Sequence, residues 1–301
     1  MDADLIGTLE EIGRQLDRHV FPVVKDGGIV VPSAPAVSLL TSGTENHNGS
    51  SAKGRSETGS RTGSAGGQGT AGRQAPRGSR PSGGATPVVR ADLQAIYDTE
   101  LGKVQQAYPG TLVWHQDRGL WLLTRSSLLA GCGRYALFLT GILYSWQVVR
   151  SWGFWQDLFT AATWIGPRHT NFPDGSVCAF EPTDNTWVIG DPAVRLLDLY
   201  TVWAVRHLHL QVFGRWPGRQ TAHHPYERVL ELRDDEYCGC LLGDRLYGDC
   251  CRDKDLRKIR VADAVSFIYS PNWVREPPEA VVRFVRQEKK EPPRLDELLV
   301  R

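Results

Sequence analysis

Between Thr41 and about Gly84 the chain consists almost wholly of Ser, Gly, Thr, Ala and Arg. A segment with so few large apolar side chains cannot offset the entropy of ordering its backbone. It divides the 301 residues into a short N-terminal piece and a longer C-terminal one, and only these pieces can build a core. The expected organisation is an N-terminal helix with short strands over 1–40, a flexible linker over 41–87, a main domain over 88–230, a compact cysteine module over 231–256 and a tail over 257–301. The linker's arginines can touch an acidic partner, but a solvated tether is the expected reading.

The formal net charge of +1 provides no broad field for nucleic acid or an anionic membrane, so neither is expected as a partner. The start, Met1-Asp2-Ala3-Asp4-Leu5, lacks the basic residues and apolar run of a secretory signal. Four of the six cysteines fall in one small knuckle, a pattern of metal binding and catalysis rather than of a disulfide framework, and a cytoplasmic location is expected. The most apolar stretch, Tyr135 to Val149, is broken by Gly141, Ser145 and Gln147 and is short of the roughly 20 residues a membrane span needs. It reads as buried strand.

The elements predicted from periodicity form an α+β pattern. Leu5, Leu9, Ile12, Leu16 and Val20 share one helical face, and Asp26-Gly27-Gly28 is a hairpin signal. A second helix spans Ala91 to Tyr108 and stops at Pro109-Gly110. An antiparallel meander of four strands follows, over Thr111–Trp114, Leu120–Thr124, Tyr135–Leu143 and Ser145–Trp155. A long helix then starts with Asp191 as N-cap and Pro192 at the first helical position, and ends at Gly214. The tail mixes apolar residues with charge runs and Pro pairs, as a docking segment would.

Between the meander and the long helix lies Arg168-His169-Thr170-Asn171-Phe172-Pro173-Asp174-Gly175-Ser176-Val177-Cys178. The Pro-Asp-Gly turn presents Cys178 on a loop. Its thiol can carry an acyl group. The Asn171 amide, seven residues upstream, can donate to an oxyanion at the same spot, and His169 can lock the loop through a backbone group. Asp174 and Asp184 are near enough in sequence to orient an incoming amine.

The order His169-x-Asn171, a Gly-containing turn, Cys178, Trp187 and a long helix from Pro192 resembles the ubiquitin-conjugating enzymes, whose triplet is His-Pro-Asn. Here Thr170 replaces the Pro, the spacing to Cys178 is one residue shorter than in the family, and Pro167 and Pro173 flank the loop. The resemblance covers about 90–215. It implies the conjugating fold: an N-terminal helix, the four-stranded meander, the catalytic loop and the long helix. It also implies that Cys178 accepts a ubiquitin-like protein as a thioester from a separate activating enzyme and passes it to an amine on a target protein. Asn171 then serves the oxyanion and His169 the loop. These departures and the added knuckle resemble bacterial members of the family, which implies a place in an antiviral-defence conjugation system.

Cys238-Gly239-Cys240 and Cys250-Cys251 bracket a nine-residue loop and offer four thiolates, a set that suits one structural Zn2+. The pattern resembles the SEC-C motif, a short zinc-binding tail, although the loop here is one residue longer and reads Leu241-Leu242-Gly243. Disulfides or unligated thiols are the alternatives, and two disulfides in so small a knuckle need an oxidising compartment. Two rival functions remain open. One is a cysteine hydrolase with Cys178 as nucleophile and His169, His223 or His224 as base. The other is a non-catalytic zinc adaptor.

Overall fold

The computed structural model describes residues 3–30, 87–157, 161–180, 186–222, 225–240, 244–258, 260–262, 265 and 275–299. Residues 41–86 of the expected linker lie outside this set, as do Asp184, His223, His224 and Leu241-Leu242-Gly243. The described residues on both sides of 33–84 belong to one compact α+β unit.

Helix α1 (Ala3–Asp17) buries Leu5, Leu9, Ile12 and Leu16, four of the five residues of the expected stripe; the fifth, Val20, lies beyond the end of the helix and is exposed. Gly13 marks its close approach to the long helix, because a Cβ there would stand 2.4 Å from His209 Nε2. Strands β1 (Val23–Lys25) and β2 (Gly28–Val30) form the expected hairpin, with Asp26 and Gly27 both at positive φ. Helix α2 (Pro87–Ala107) begins four residues before the expected start and ends ahead of Gly110, whose φ is 81°.

The main sheet contains β3 (Leu112–Gln116), β4 (Gly119–Ser126), β6 (Tyr135–Leu143), β7 (Val148–Gln156) and β8 (Thr163–Trp164). They lie side by side in that order, all antiparallel. The four expected strands are the first four of these, and β8 adds a fifth. Strand β5 (Leu128–Leu129) leaves this sheet to pair in parallel with β2, a contact that no local pattern announces. The fourth strand was expected from Ser145 but starts at Val148. Tyr144–Trp146 form a 3-10 turn and Gln147 adopts φ 50°, so that Leu143 can face Val148.

Successive strand residues point to opposite faces, and in β4 and β6 both faces are buried. Leu120, Leu122, Phe138 and Ile142 pack under α1, α2 and helix α3 (Ala193–Phe213). Trp121, Leu137, Leu139, Trp152 and Phe154 face the other way. There they meet helices α7 (Glu279–Val285) and α8 (Leu295–Leu299), so the expected docking tail is the outer layer of the sheet. Trp121 Nε1 donates to Pro293 O at 2.8 Å and fastens this layer. Helices α4 (Pro225–Glu231), α5 (Tyr247–Cys250) and α6 (Arg252–Lys258) surround a third, smaller core of Ala222, Leu232, Cys238, Tyr247 and Cys251.

The start of α3 differs from its expected cap. Pro192 occupies the cap position, and the Asp191 carboxylate accepts backward from Val188 N at 3.1 Å instead of capping the helix. The stop is as expected: Gly214, at φ 69°, donates its N–H to Leu210 O.

Candidate functional site

Strands β7 and β8 deliver the chain into 165–178 and hold both of its ends. Ile165 N donates to Gly153 O at 2.9 Å, and Val177 N donates to Ser151 O at 2.7 Å. Between these anchors the chain folds back on itself. Thr170 bridges Val177, Cys178 N donates to His169 O at 3.0 Å, and Asn171 N donates to Ser176 O at 2.7 Å. The three residues singled out from sequence, His169, Asn171 and Cys178, therefore share one tight loop. The Pro-Asp-Gly turn forms with Gly175 at φ 63° and the Asp174 carboxylate accepting from Ser176 N. The peptide bonds preceding Pro167 and Pro173 are cis.

Three indoles hold the loop from outside. Trp152 Nε1 donates to Asp174 O at 2.8 Å, Trp164 Nε1 to Gly175 O at 3.2 Å, and Trp203 Nε1, from α3, to His169 O at 2.8 Å. Trp187 is buried and donates to Pro192 O, which fastens the segment after Cys178 to the start of α3.

Asn171 Nδ2 donates to Ser176 Oγ at 3.2 Å and Val177 O at 3.1 Å, so its amide holds the loop. His169 takes φ 50° and bonds Gln220 Oε1 through Nε2 at 2.9 Å, with its ring centroid 4.2 Å from that of Trp216. Loss of hydration, and then the Arg168 guanidinium beside it, hold the imidazole well below the usual histidine range. Its ring is neutral at pH 7 and donates from Nε2. Arg168 is buried against Glu236, and it donates to Gln220 Oε1 at 2.7 Å.

Cys178 lies in a cleft of about 700 Å³. Its apolar walls include Phe180, Leu199, Trp203 and Trp216, and Arg195, Arg206 and Arg219 line it as well. Burial pushes the Arg206 guanidinium down to about 10, and Asp17 partly offsets this. Arg219 pairs with Asp244. Asp244 lines the cleft too, so its edge, though richer in arginine, carries charges of both signs and suits an extended ligand with polar ends.

The other predicted group also converges. The Sγ atoms of Cys238, Cys240, Cys250 and Cys251 all lie within 4.8 Å of one another, with Cys240 to Cys250 at 3.6 Å and Cys250 to Cys251 at 3.8 Å. A tetrahedral zinc with bonds of about 2.3 Å sets its sulfurs about 3.8 Å apart. None of the six cysteines is in a disulfide. Burial raises the Cys238 and Cys251 thiols above their usual range, and a bound dication reverses that bias by stabilising thiolates. The four cysteines can thus hold a metal ion. A set of four protein ligands leaves no open position for substrate.

Comparison with protein-family models, curated proteins and solved structures finds no match to this chain. The loop's positions were legible because they are near one another in sequence. Arg168, Gln220 and Glu236 were missed: the bonds from Arg168 span 52 and 68 residues, and nothing local marks their partners. Among the described residues, no helix is long and apolar enough to cross a membrane.

Proposed function

We propose that the protein is a thioester carrier of the ubiquitin-conjugating kind, with Cys178 as the acyl acceptor. The observation that carries this reading is the fold of 169–178. It sets a thiol at an apolar cleft edged largely by arginines, on a loop held by the His169 carbonyl and the Asn171 amide. A helix, an antiparallel meander, this loop and a long helix follow one another in the order the resemblance implies.

In the first step the Cys178 thiolate attacks the thioester carbonyl of a ubiquitin-like protein carried on a separate activating enzyme. A new S–C bond forms, the old one breaks, and the activating enzyme's thiolate leaves. In the second step the amine of a target protein attacks the same carbonyl. The C–N bond forms, the C–S bond breaks, the amine's proton passes to solvent water and Cys178 leaves as its thiolate. Asn171 serves this step by exchanging its bond to Ser176 Oγ for one to the oxyanion, a rearrangement common between resting and reacting states. The four-cysteine cluster holds one Zn2+ as a structural staple.

The environment of His169 argues against that residue as the base of the hydrolase alternative; His223 and His224, its other candidate bases, lie outside the described residues. A general base must become imidazolium, and burial together with Arg168 disfavours that cation here. The deciding experiment incubates the protein with a candidate activating enzyme, a ubiquitin-like protein and ATP, then resolves products by non-reducing gel and intact mass. A reductant-sensitive adduct that disappears in Cys178→Ala supports the carrier. No adduct from a partner set active on its own carrier rejects it, and a biological activity that survives Cys178→Ser but not loss of the knuckle cysteines points to the adaptor.

A further inference from the structure

We infer that the four-cysteine knuckle positions the Cys178 loop, and that Glu236 and Gln220 transmit metal occupancy from one to the other; the consequence for transfer chemistry rests on the carrier reading, whereas the coupling itself does not. Glu236 belongs to both structures. Its backbone carbonyl accepts from Tyr247 N at 2.8 Å inside the knuckle, two residues before Cys238 and three before Cys250. Its carboxylate, with no exposed surface, accepts from Trp216 N at 2.7 Å and from Arg168 Nη1 at 3.1 Å, and Arg168 Nη2 completes the fork.

Gln220 makes a second bridge. Its Nε2 donates to Tyr237 O at 2.8 Å, on the residue next to Cys238, while its Oε1 accepts from both His169 Nε2 and Arg168 Nη2. The route from metal ligand to thiol is therefore short and continuous: Cys238, then Tyr237 and Glu236, then Gln220 and Arg168, then His169, whose carbonyl receives Cys178 N. Gly239 and Cys240 also line the cleft into which Cys178 opens.

Such a network favours one arrangement strongly. A buried carboxylate held by a guanidinium and backbone N–H groups loses most when any one partner moves, because the others are left unpaired in a medium of low dielectric. The 236–240 strip, in turn, is ordered by the convergence of four thiols, which a bound metal ion enforces and its loss releases. Release of that strip frees Gln220 from Tyr237 O, loosening the bond that Gln220 makes to the His169 ring, and withdraws the Glu236 carboxylate that pairs with Arg168. Both of these flank the residue whose carbonyl receives Cys178 N.

Hydrogen exchange read by mass spectrometry on the full chain tests this, using Zn2+ as the probe and metal content measured alongside. Removing zinc from the wild type with a chelator is expected to speed exchange across 166–180 by roughly tenfold or more, as loss of buried charged hydrogen bonds implies. Strand peptides from 135–143 are expected to change far less than 166–180. Gln220→Ala and Glu236→Gln are expected to speed 166–180 in the same way while zinc stays at one per chain, and to change the alkylation rate of Cys178 in parallel. The inference is overturned if 166–180 keeps its wild-type rate in zinc-stripped protein and in Gln220→Ala. It is equally overturned if stripping accelerates 135–143 as much as 166–180, since the knuckle is then a general staple. If Glu236→Gln does not fold, Gln220→Ala decides. Failure of the carrier reading shows separately, as the absence of an adduct on Cys178 with the exchange result intact.

Discussion

Arg168 and Glu236 form an ion pair almost closed to water, with side chains 7% and 0% exposed. Removing one partner of such a pair leaves the other charge buried and typically costs about 3–5 kcal/mol. Glu236→Ala is therefore expected to lower the urea midpoint markedly, whereas breaking an exposed pair such as Arg294 with Asp296 should leave the midpoint nearly unchanged. The histidines act through pH. Burial lowers His169 and His209 and brings His207 to about 3, below the ordinary 6.5. Groups depressed in the folded state contribute stability that is present above pH 6.5 and lost as pH falls toward their folded values, because the unfolded chain takes up protons the folded one refuses. Each ring contributes a slope of about 1 kcal/mol per pH unit in that window. Thermal melts from pH 7 to 5 should show falling stability, and His207→Phe should flatten the fall; an unchanged slope would reject the assignment. If the proposed carrier function holds, Asn171→Ala is expected to slow acyl transfer on the order of 100-fold or more while thioester formation stays normal. Equal rates in single-turnover transfer would remove Asn171 from the chemistry.

At the scale of elements, the contact of α3 with the sheet positions the Cys178 loop. Gly153 in β7 permits it, since a Cβ there would lie 2.8 Å from Trp203 Cζ3, and Trp203 is the residue that holds the His169 carbonyl. Gly153→Ala is expected to cost about 1–3 kcal/mol through overpacking and to shift the loop with the indole. Denaturant melts and the alkylation rate of Cys178 measure the two effects separately. Most elements here were legible because their signals are local: the 3–4 spacing of α1, the Asp26-Gly27 hairpin, the Pro109-Gly110 and Gly214 stops. What escaped depends on distant partners. Strand β5 exists only because β2 lies beside it, and Asp191 bonds Val188 rather than the helix because the chain leaving Trp187 already bends there.

Across the whole molecule, two features outside the meander complete it. Helices α7 and α8 cover Trp121 and Trp152, each a side chain of roughly 150–250 Å² whose burial is worth about 4–6 kcal/mol. A chain ended at Glu276 is expected to expose this face, bind an apolar dye and lose solubility. If it stays soluble with the same melting temperature, the outer layer is dispensable. The knuckle supplies the other completion, and chelation is expected to lower the melting temperature, with zinc restoring it.

By itself the sequence determined the features written in neighbouring residues: the amphipathic stripe of α1, the alternation and turns of the meander, the ordered run from His169 to Cys178, and the spacing of four cysteines. Only the tertiary structure decided what each of these rests on. It placed the tail on the second face of the sheet. It turned three tryptophans into loop anchors and ran one buried hydrogen-bond network from the knuckle through Glu236 and Gln220 to His169. Periodicity and turn chemistry report on a residue's own few neighbours, whereas a buried carboxylate is paired by whatever the packed chain brings to it. Glu236 looked like any other acidic residue until the fold closed it against an arginine 68 positions away.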